Sequence, residues 1–136
     1  MFISRQMKSL VMNSDVLVHE ATYGPILSDL DRSYLRGDLK RWKQVQEEAL
    51  SIPKYKNKWE NIKEKAVIWY HSTIEMAGNY ATSVNAKNLI LTHLSGKYDA
   101  GSINSQKNIQ YLFKEQCKLY FNGEAIVAYD GLIVDL

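Results

Sequence analysis

The chain has 136 residues, 46% of them hydrophobic and 24% charged, which suits one globular domain with a core and excludes a disordered tail. Its net charge of +2 lacks the strong basic excess by which composition alone announces a nucleic-acid binder. A single cysteine, Cys117, excludes an internal disulfide and a thiolate metal cluster, and fits helix packing in a reducing, intracellular compartment. No apolar run approaches the roughly 20 residues of a membrane span, and residues 1–15 lack both the apolar stretch and the cleavage site of a leader, so a soluble protein is expected.

Residues 4–12, SRQMKSLVM, are spaced as a short amphipathic helix that Asn13-Ser14 breaks before a strand at Val16 to Val18. That strand runs into the polar pair His19-Glu20. From Gly24-Pro25 to about Tyr70 the composition changes, with apolar residues at helical spacing among many charges. Here LRGDLKRWKQVQEEAL reads as one helix, Ile52-Pro53 as a break, and KYKNKWENIKEKAVIWY as a second helix. A helix from about Ile74 to Val84 follows, stopped by Asn85, and then a strand at 88–92.

This strand is apolar through Leu89, Ile90 and Leu91 and turns at once to Thr92, His93, Leu94, Ser95 and Gly96. A short apolar run bounded by turn residues marks a central strand, and in such sheets ligands gather beyond the carboxyl ends, where His93 stands. GSINSQKNIQYLFKEQCKLY then offers a Ser or Asn cap and a helix with Ile109, Leu112, Phe113 and Leu119 on its apolar side. The closing EAIVAYDGLIVDL places two alternating runs around Asp130-Gly131, a hairpin signal. The order is αβ, a helical insert, then αβαββ: an α/β layer structure whose three or four strands would make a thin sheet for an independent fold.

His19, His71 and His93 are the only histidines, and each falls at a strand end or helix start. For any one of them a hydrogen-bonded structural role is the ordinary reading, while three together favour a site. Neighbouring strand residues point to opposite faces, so only one of His19 and Glu20 can enter a shared pocket. His71 precedes Ser72 and Thr73, either of which could cap the helix that follows and leave His71 at its positive end.

The motifs DVLVHEATY (15–23), HST (71–73), LILTHLSGKY (89–98) and the closing IVAYDGLIVDL occur in the order found in the C-terminal part of ribonuclease Z, and the chain resembles that family over about residues 8–23 and 66–136. The resemblance implies the C-terminal part of a metallo-β-lactamase αββα sandwich, with residues 24–70 as a helical insertion between the HEAT and HST motifs. It also implies zinc-dependent endonucleolytic removal of the 3′ trailer from a tRNA precursor, leaving a 3′ hydroxyl and a 5′ phosphate. In the family the counterpart of His93 is a zinc ligand, and the counterparts of Glu20 and His71 pair so that the imidazole can give a proton to the departing oxygen. In the turn that follows, Ser95 and Lys97 correspond to substrate-binding positions. The family carries an arginine where Lys97 keeps the charge without the planar fork, and a solvated turn lysine is the ordinary alternative.

Two departures bear on activity. The HxHxDH motif that supplies most zinc ligands in the family is absent, so a complete two-zinc site cannot be built from this chain, which is expected to be inactive alone. It would be the remainder of a longer enzyme or a truncated module with a structural or interaction role, as a homodimer or otherwise; another phosphodiesterase of the same fold is the third reading. The second departure is the length of the 24–70 segment. Its Lys40, Arg41, Lys43, Lys54, Lys56, Lys58, Lys63 and Lys65 lie among Trp42, Tyr55 and Trp59, but also among Glu47, Glu48, Glu60 and Glu64. A solvated helical hairpin packed through Trp42 and Trp59 is favoured over an RNA arm.

Overall fold

A computed structural model of the chain describes residues 5–24, 48, 51–96 and 103–135. Their elements are α1 (Arg5–Val11), β1 (Val16–Glu20), α2 (Pro53–Ile68), α3 (Ile74–Ser83), β2 (Asn88–Thr92), α4 (Ile103–Cys117) and β3 (Glu124–Val127). The three strands form one parallel sheet in the order β1-β2-β3, a mixed α/β architecture. Of the helix expected over 35–50 only Glu48 is described, and it is helical; Trp42 lies outside the described residues.

Local chemistry explains the boundaries. Ile52, with extended backbone, precedes Pro53 at the first position of α2, where a proline's missing N–H is no loss. Thus the Ile52-Pro53 break is the start of the second helix. Thr73 caps α3 by accepting the Met76 N–H at 3.2 Å. Two asparagines with positive φ, Asn13 (58°) and Asn85 (51°), turn the chain out of α1 and α3 towards β1 and β2. They are joined side chain to side chain at 2.7 Å, and the Asn13 N–H also donates to the Val84 carbonyl at 2.7 Å. The amino ends of the two strands therefore start level.

Leu17, Leu89, Leu91, Ala125 and Val127 point to one face of the sheet and are buried with Ile74, Ala77 and Ala81 of α3 and Leu112, Phe113 and Cys117 of α4. Full burial of Leu89 and Leu91 stabilises the fold by about 2 kcal/mol each. The inner face of α3 is small for a reason: a methyl at Gly78 would come within 2.8 Å of the Tyr120 Cβ. Burial of the Cys117 thiol pushes its pKa up to about 11, consistent with a packing role.

The opposite face carries the row Val18, Ile90 and Ile126, in register across all three strands, with Val18 60% exposed. Sequential parallel strands joined by crossovers of one hand put their helices on one side. Among the described residues the helices α3 and α4 cover that side, and no helix is long and apolar enough to cross a membrane.

Three expectations are corrected. β1 extends to Glu20 rather than ending at Val18, because His19 and Glu20 continue the ladder opposite Leu91 and Thr92. Leu119 is exposed, since α4 ends at Cys117 before reaching it. The closing hairpin does not form: residues 132–135 are not a strand. A turn is present, with the Leu132 N–H donating to the Tyr129 carbonyl at 3.0 Å, but Gly131 has φ 83° while Asp130 does not have positive φ. That pattern is not the twist-matched turn with both central residues at positive φ, and it sends the chain away from the β3 edge.

Candidate metal and proton-transfer site

The carboxyl ends of β1 and β2 lie side by side, and the N-terminus of α3 is tied to them. Tyr23 forms an isolated parallel bridge with Thr73; its carbonyl accepts the Ile74 N–H at 2.9 Å and its N–H donates to the Ser72 carbonyl at 3.4 Å. The Ala21 N–H donates to the Thr92 carbonyl at 2.9 Å, and the Ser95 N–H to the Thr22 carbonyl at 3.0 Å. These bonds hold three short segments together: the end of β1, the residues before α3 and the turn after β2.

Each segment contributes one side chain to a single cluster. Glu20 Oε2 lies 3.3 Å from Nδ1 of His71 and 3.3 Å from Nδ1 of His93. The His71 and His93 rings stack with centroids 5.4 Å apart, and Tyr23 meets His71 edge-on at 6.0 Å. One donor atom from each of Glu20, His71 and His93 lies within 4.8 Å of the others, a grouping that could hold a metal ion. His93 reaches this position through positive φ (58°), a sparsely populated conformation for a side-chain-bearing residue that turns the chain sharply as it leaves β2.

Thr22, 4% exposed, sits at the centre of the group and was not singled out from the sequence. Its hydroxyl donates to Glu20 Oε2 at 3.1 Å and lies 3.0 Å from Nδ1 of His93 and 3.4 Å from Nδ1 of His71. The available signal was the two-residue spacing from Glu20, which puts both side chains on one side of an extended chain.

Burial pushes the Glu20 carboxyl upward, but hydrogen bonds from His71 and Thr22 and the charges of His71 and His93 outweigh it and hold the group below the ordinary carboxylate range. An ionised carboxylate only accepts hydrogen bonds, so the nitrogens facing it are Nδ1–H donors. In a neutral imidazole the lone pair then belongs to Nε2, on the far side of the ring from Glu20. The cluster is thus arranged to present imidazole lone pairs, oriented from behind by a carboxylate and a hydroxyl.

His19 is directed elsewhere, as strand alternation requires. It is buried on the helix-covered face, its Nδ1 is 2.7 Å from the Glu20 carbonyl, and its ring is tilted against Tyr80 at 5.6 Å. Ser95 lies in the turn that carries His93 and contributes the backbone bond to Thr22. Lys97 lies outside the described residues.

No protein-family model matches the chain. It is 31% identical over 90 residues to ribonuclease Z of Listeria innocua, covering 66% of this chain and 18% of that protein. It is 27% identical over 135 residues to ribonuclease Z of Bacillus subtilis, covering 98% of this chain and 30% of that protein. To ribonuclease Z of Bacillus thuringiensis it is 27% identical over 128 residues, or 94% of this chain and 28% of that protein. The chain therefore spans under a third of the length of these curated relatives, and over most of its own length it is distantly related to ribonuclease Z.

Proposed function

We propose that the chain is the C-terminal part of a zinc-dependent endoribonuclease that removes the 3′ trailer of tRNA precursors, built on a metallo-β-lactamase αββα sandwich into which residues 24–70 are inserted. The observation that carries this reading is the convergence of Glu20, His71 and His93 from three separate segments onto one hydrogen-bonded cluster. The row Val18, Ile90 and Ile126, exposed at Val18 and only half-buried at the two isoleucines, also supports it, since parallel sheets are covered on both faces and further polypeptide would supply the second layer.

The donor set suits zinc, which takes imidazole nitrogen and carboxylate oxygen. In this reading His93 is a zinc ligand, and its remaining companions come from polypeptide corresponding to the unmatched part of the relatives. When bound, zinc supplies Lewis-acid stabilisation of charge on the phosphoryl oxygens. Hydrolysis breaks the bond between phosphorus and the 3′ oxygen and leaves a 3′ hydroxyl on the tRNA and a 5′ phosphate on the trailer. His71 holds a proton on Nε2 and gives it to the departing oxygen, while the Glu20 carboxylate, hydrogen-bonded at Nδ1, stabilises the imidazolium and fixes the ring. Thr22 keeps that carboxylate in place. Ser95 lies in the turn next to the ligand, where its hydroxyl would contact phosphate; the ammonium of Lys97, outside the described residues, is assigned a second phosphate contact by its place in the sequence alone.

A chimera tests this: the unmatched portion of Bacillus subtilis ribonuclease Z followed by this chain. Zinc-dependent cleavage of a 3′-extended pre-tRNA is expected, with His71→Ala and Glu20→Gln depressing turnover far more than substrate binding. A folded, zinc-loaded chimera that leaves the precursor intact overturns the reading. The chain has only three imidazoles, one of them turned to the other face, which favours a second reading as a non-catalytic module. Metal-free chimera that still binds a partner would support that alternative.

A further inference from the structure

The C-terminal end of α2 is unusual in what it exposes. Val67, Ile68, Trp69 and Tyr70 are all exposed, Trp69 at 59% and Tyr70 at 92%, and no other run of four large apolar side chains among the described residues is so placed. The backbone beneath them is tightly fastened. The His71 N–H donates to the Ala66 carbonyl at 2.8 Å and the Tyr70 N–H to the Val67 carbonyl at 3.2 Å, the paired bonds of a Schellman cap. The residue required to take positive φ in that cap is Tyr70 (58°), where glycine would adopt the conformation without strain. Two aromatic rings are therefore held out into solvent by a rigid cap whose next residue is His71.

The helix that ends in this cap carries five lysines against two glutamates. The 3.6-residue repeat puts Lys54, Lys58 and Lys65 along one side, with Glu60 and Glu64 on another and Lys63 paired to Glu60 at 3.1 Å and Glu75 at 3.7 Å. Exposed aromatic rings beside a cationic stripe match the chemistry of single-stranded nucleic acid, whose bases stack while its phosphates follow the positive charge.

We infer that Trp69 and Tyr70 form a stacking platform for an unpaired RNA base next to the phosphodiester presented to His71, with Lys54, Lys58 and Lys65 along the adjoining phosphates. This rests on the endoribonuclease reading and assigns a base-recognition role to the end of α2. It takes up the RNA-contact alternative for this segment.

The test is a fluorescence titration of the 136-residue chain with a hexa-adenylate RNA and with an abasic hexamer carrying the same phosphates. Expected are quenching of tryptophan emission by the RNA, affinity about tenfold lower for the abasic hexamer, and similar losses for Trp69→Ala and Tyr70→Gly with intact RNA. Trp69→Phe should abolish the quenching yet keep most of the affinity. Equal affinity for the two hexamers, or for the chain and both variants, overturns the proposal. So does a change in tryptophan emission that tracks self-association without RNA, since the patch would then be a protein contact. A chimera that cuts pre-tRNA while these measurements fail removes the platform and leaves the endonuclease reading standing. Base-dependent binding with an inert chimera does the reverse.

Discussion

Replacing Thr22 by valine removes one hydroxyl and keeps the shape of the side chain. The lost contacts are a bond to the Glu20 carboxylate at 3.1 Å, one with His93 at 3.0 Å and a longer one with His71 at 3.4 Å. A buried hydrogen bond to a charged acceptor contributes about 1.5–3 kcal/mol and a neutral one about 1, but both imidazoles still reach Glu20, and the new methyl gains some apolar burial. The net loss is about 2 kcal/mol, a fall of about 6–8 °C in Tm for a chain of this size, read by circular dichroism at pH 7. In the chimera, loss of an orienting partner should also weaken zinc binding by about tenfold or more, measured by calorimetric titration. Thr22→Ser, which keeps the hydroxyl, should recover the zinc affinity. If Thr22→Val melts within about 1 °C of the parent and binds zinc equally well, the hydroxyl is a bystander and the argument that it organises the cluster is wrong.

Three further outcomes are expected. His93→Gly should relieve about 1 kcal/mol of backbone strain at a φ of 58°, leaving the stability of the chain near that of the parent, while the zinc affinity of the chimera falls at least about tenfold; unchanged affinity would remove His93 from the metal site. Gly123→Ala would push a methyl into the Phe121 ring and to 2.5 Å from the Lys87 carbonyl oxygen, lowering stability in urea melts by about 2 kcal/mol, and an unshifted midpoint would contradict the tight turn before β3. The Cys117 thiol stays neutral in the fold up to a pKa of about 11 but ionises near 9.0 when unfolded, so stability is retained below pH 9 and falls between pH 9 and 11 by up to about 3 kcal/mol. The slope of stability against pH in that window should be shallower for Cys117→Ala, and parallel slopes would show the thiol is not shielded.

What the sequence made legible follows from how locally each feature is encoded. The run Leu89-Ile90-Leu91 marked a central strand because only a doubly flanked strand needs such continuous apolarity, and it is the middle strand of three. Asn85 and Thr73 announced a helix end and a helix start through short-range hydrogen-bonding chemistry, and both act there. Asp130-Gly131 misled because the dipeptide permits several turn types, and only the φ at Asp130 decides between a hairpin and a departing chain. Leu119 followed the helical period on paper, but the helix ended two residues earlier. The meeting of Glu20, His71 and His93 was suggested by motif order; Thr22 was hidden because, beyond Glu20 two residues away, its importance depends on two partners distant in the chain, His71 and His93.

The bridge between Tyr23 and Thr73 has a bearing on how such a chain can change over evolutionary time. Two positions separated by fifty residues in sequence are clamped together at the root of everything between them. A tether fastened at both feet can grow or shrink at little expense, since doubling a closed loop costs only about 0.6 kcal/mol. Lineages are thus free to lengthen, shorten or replace the intervening stretch while the imidazoles and the carboxylate behind the clamp keep their positions.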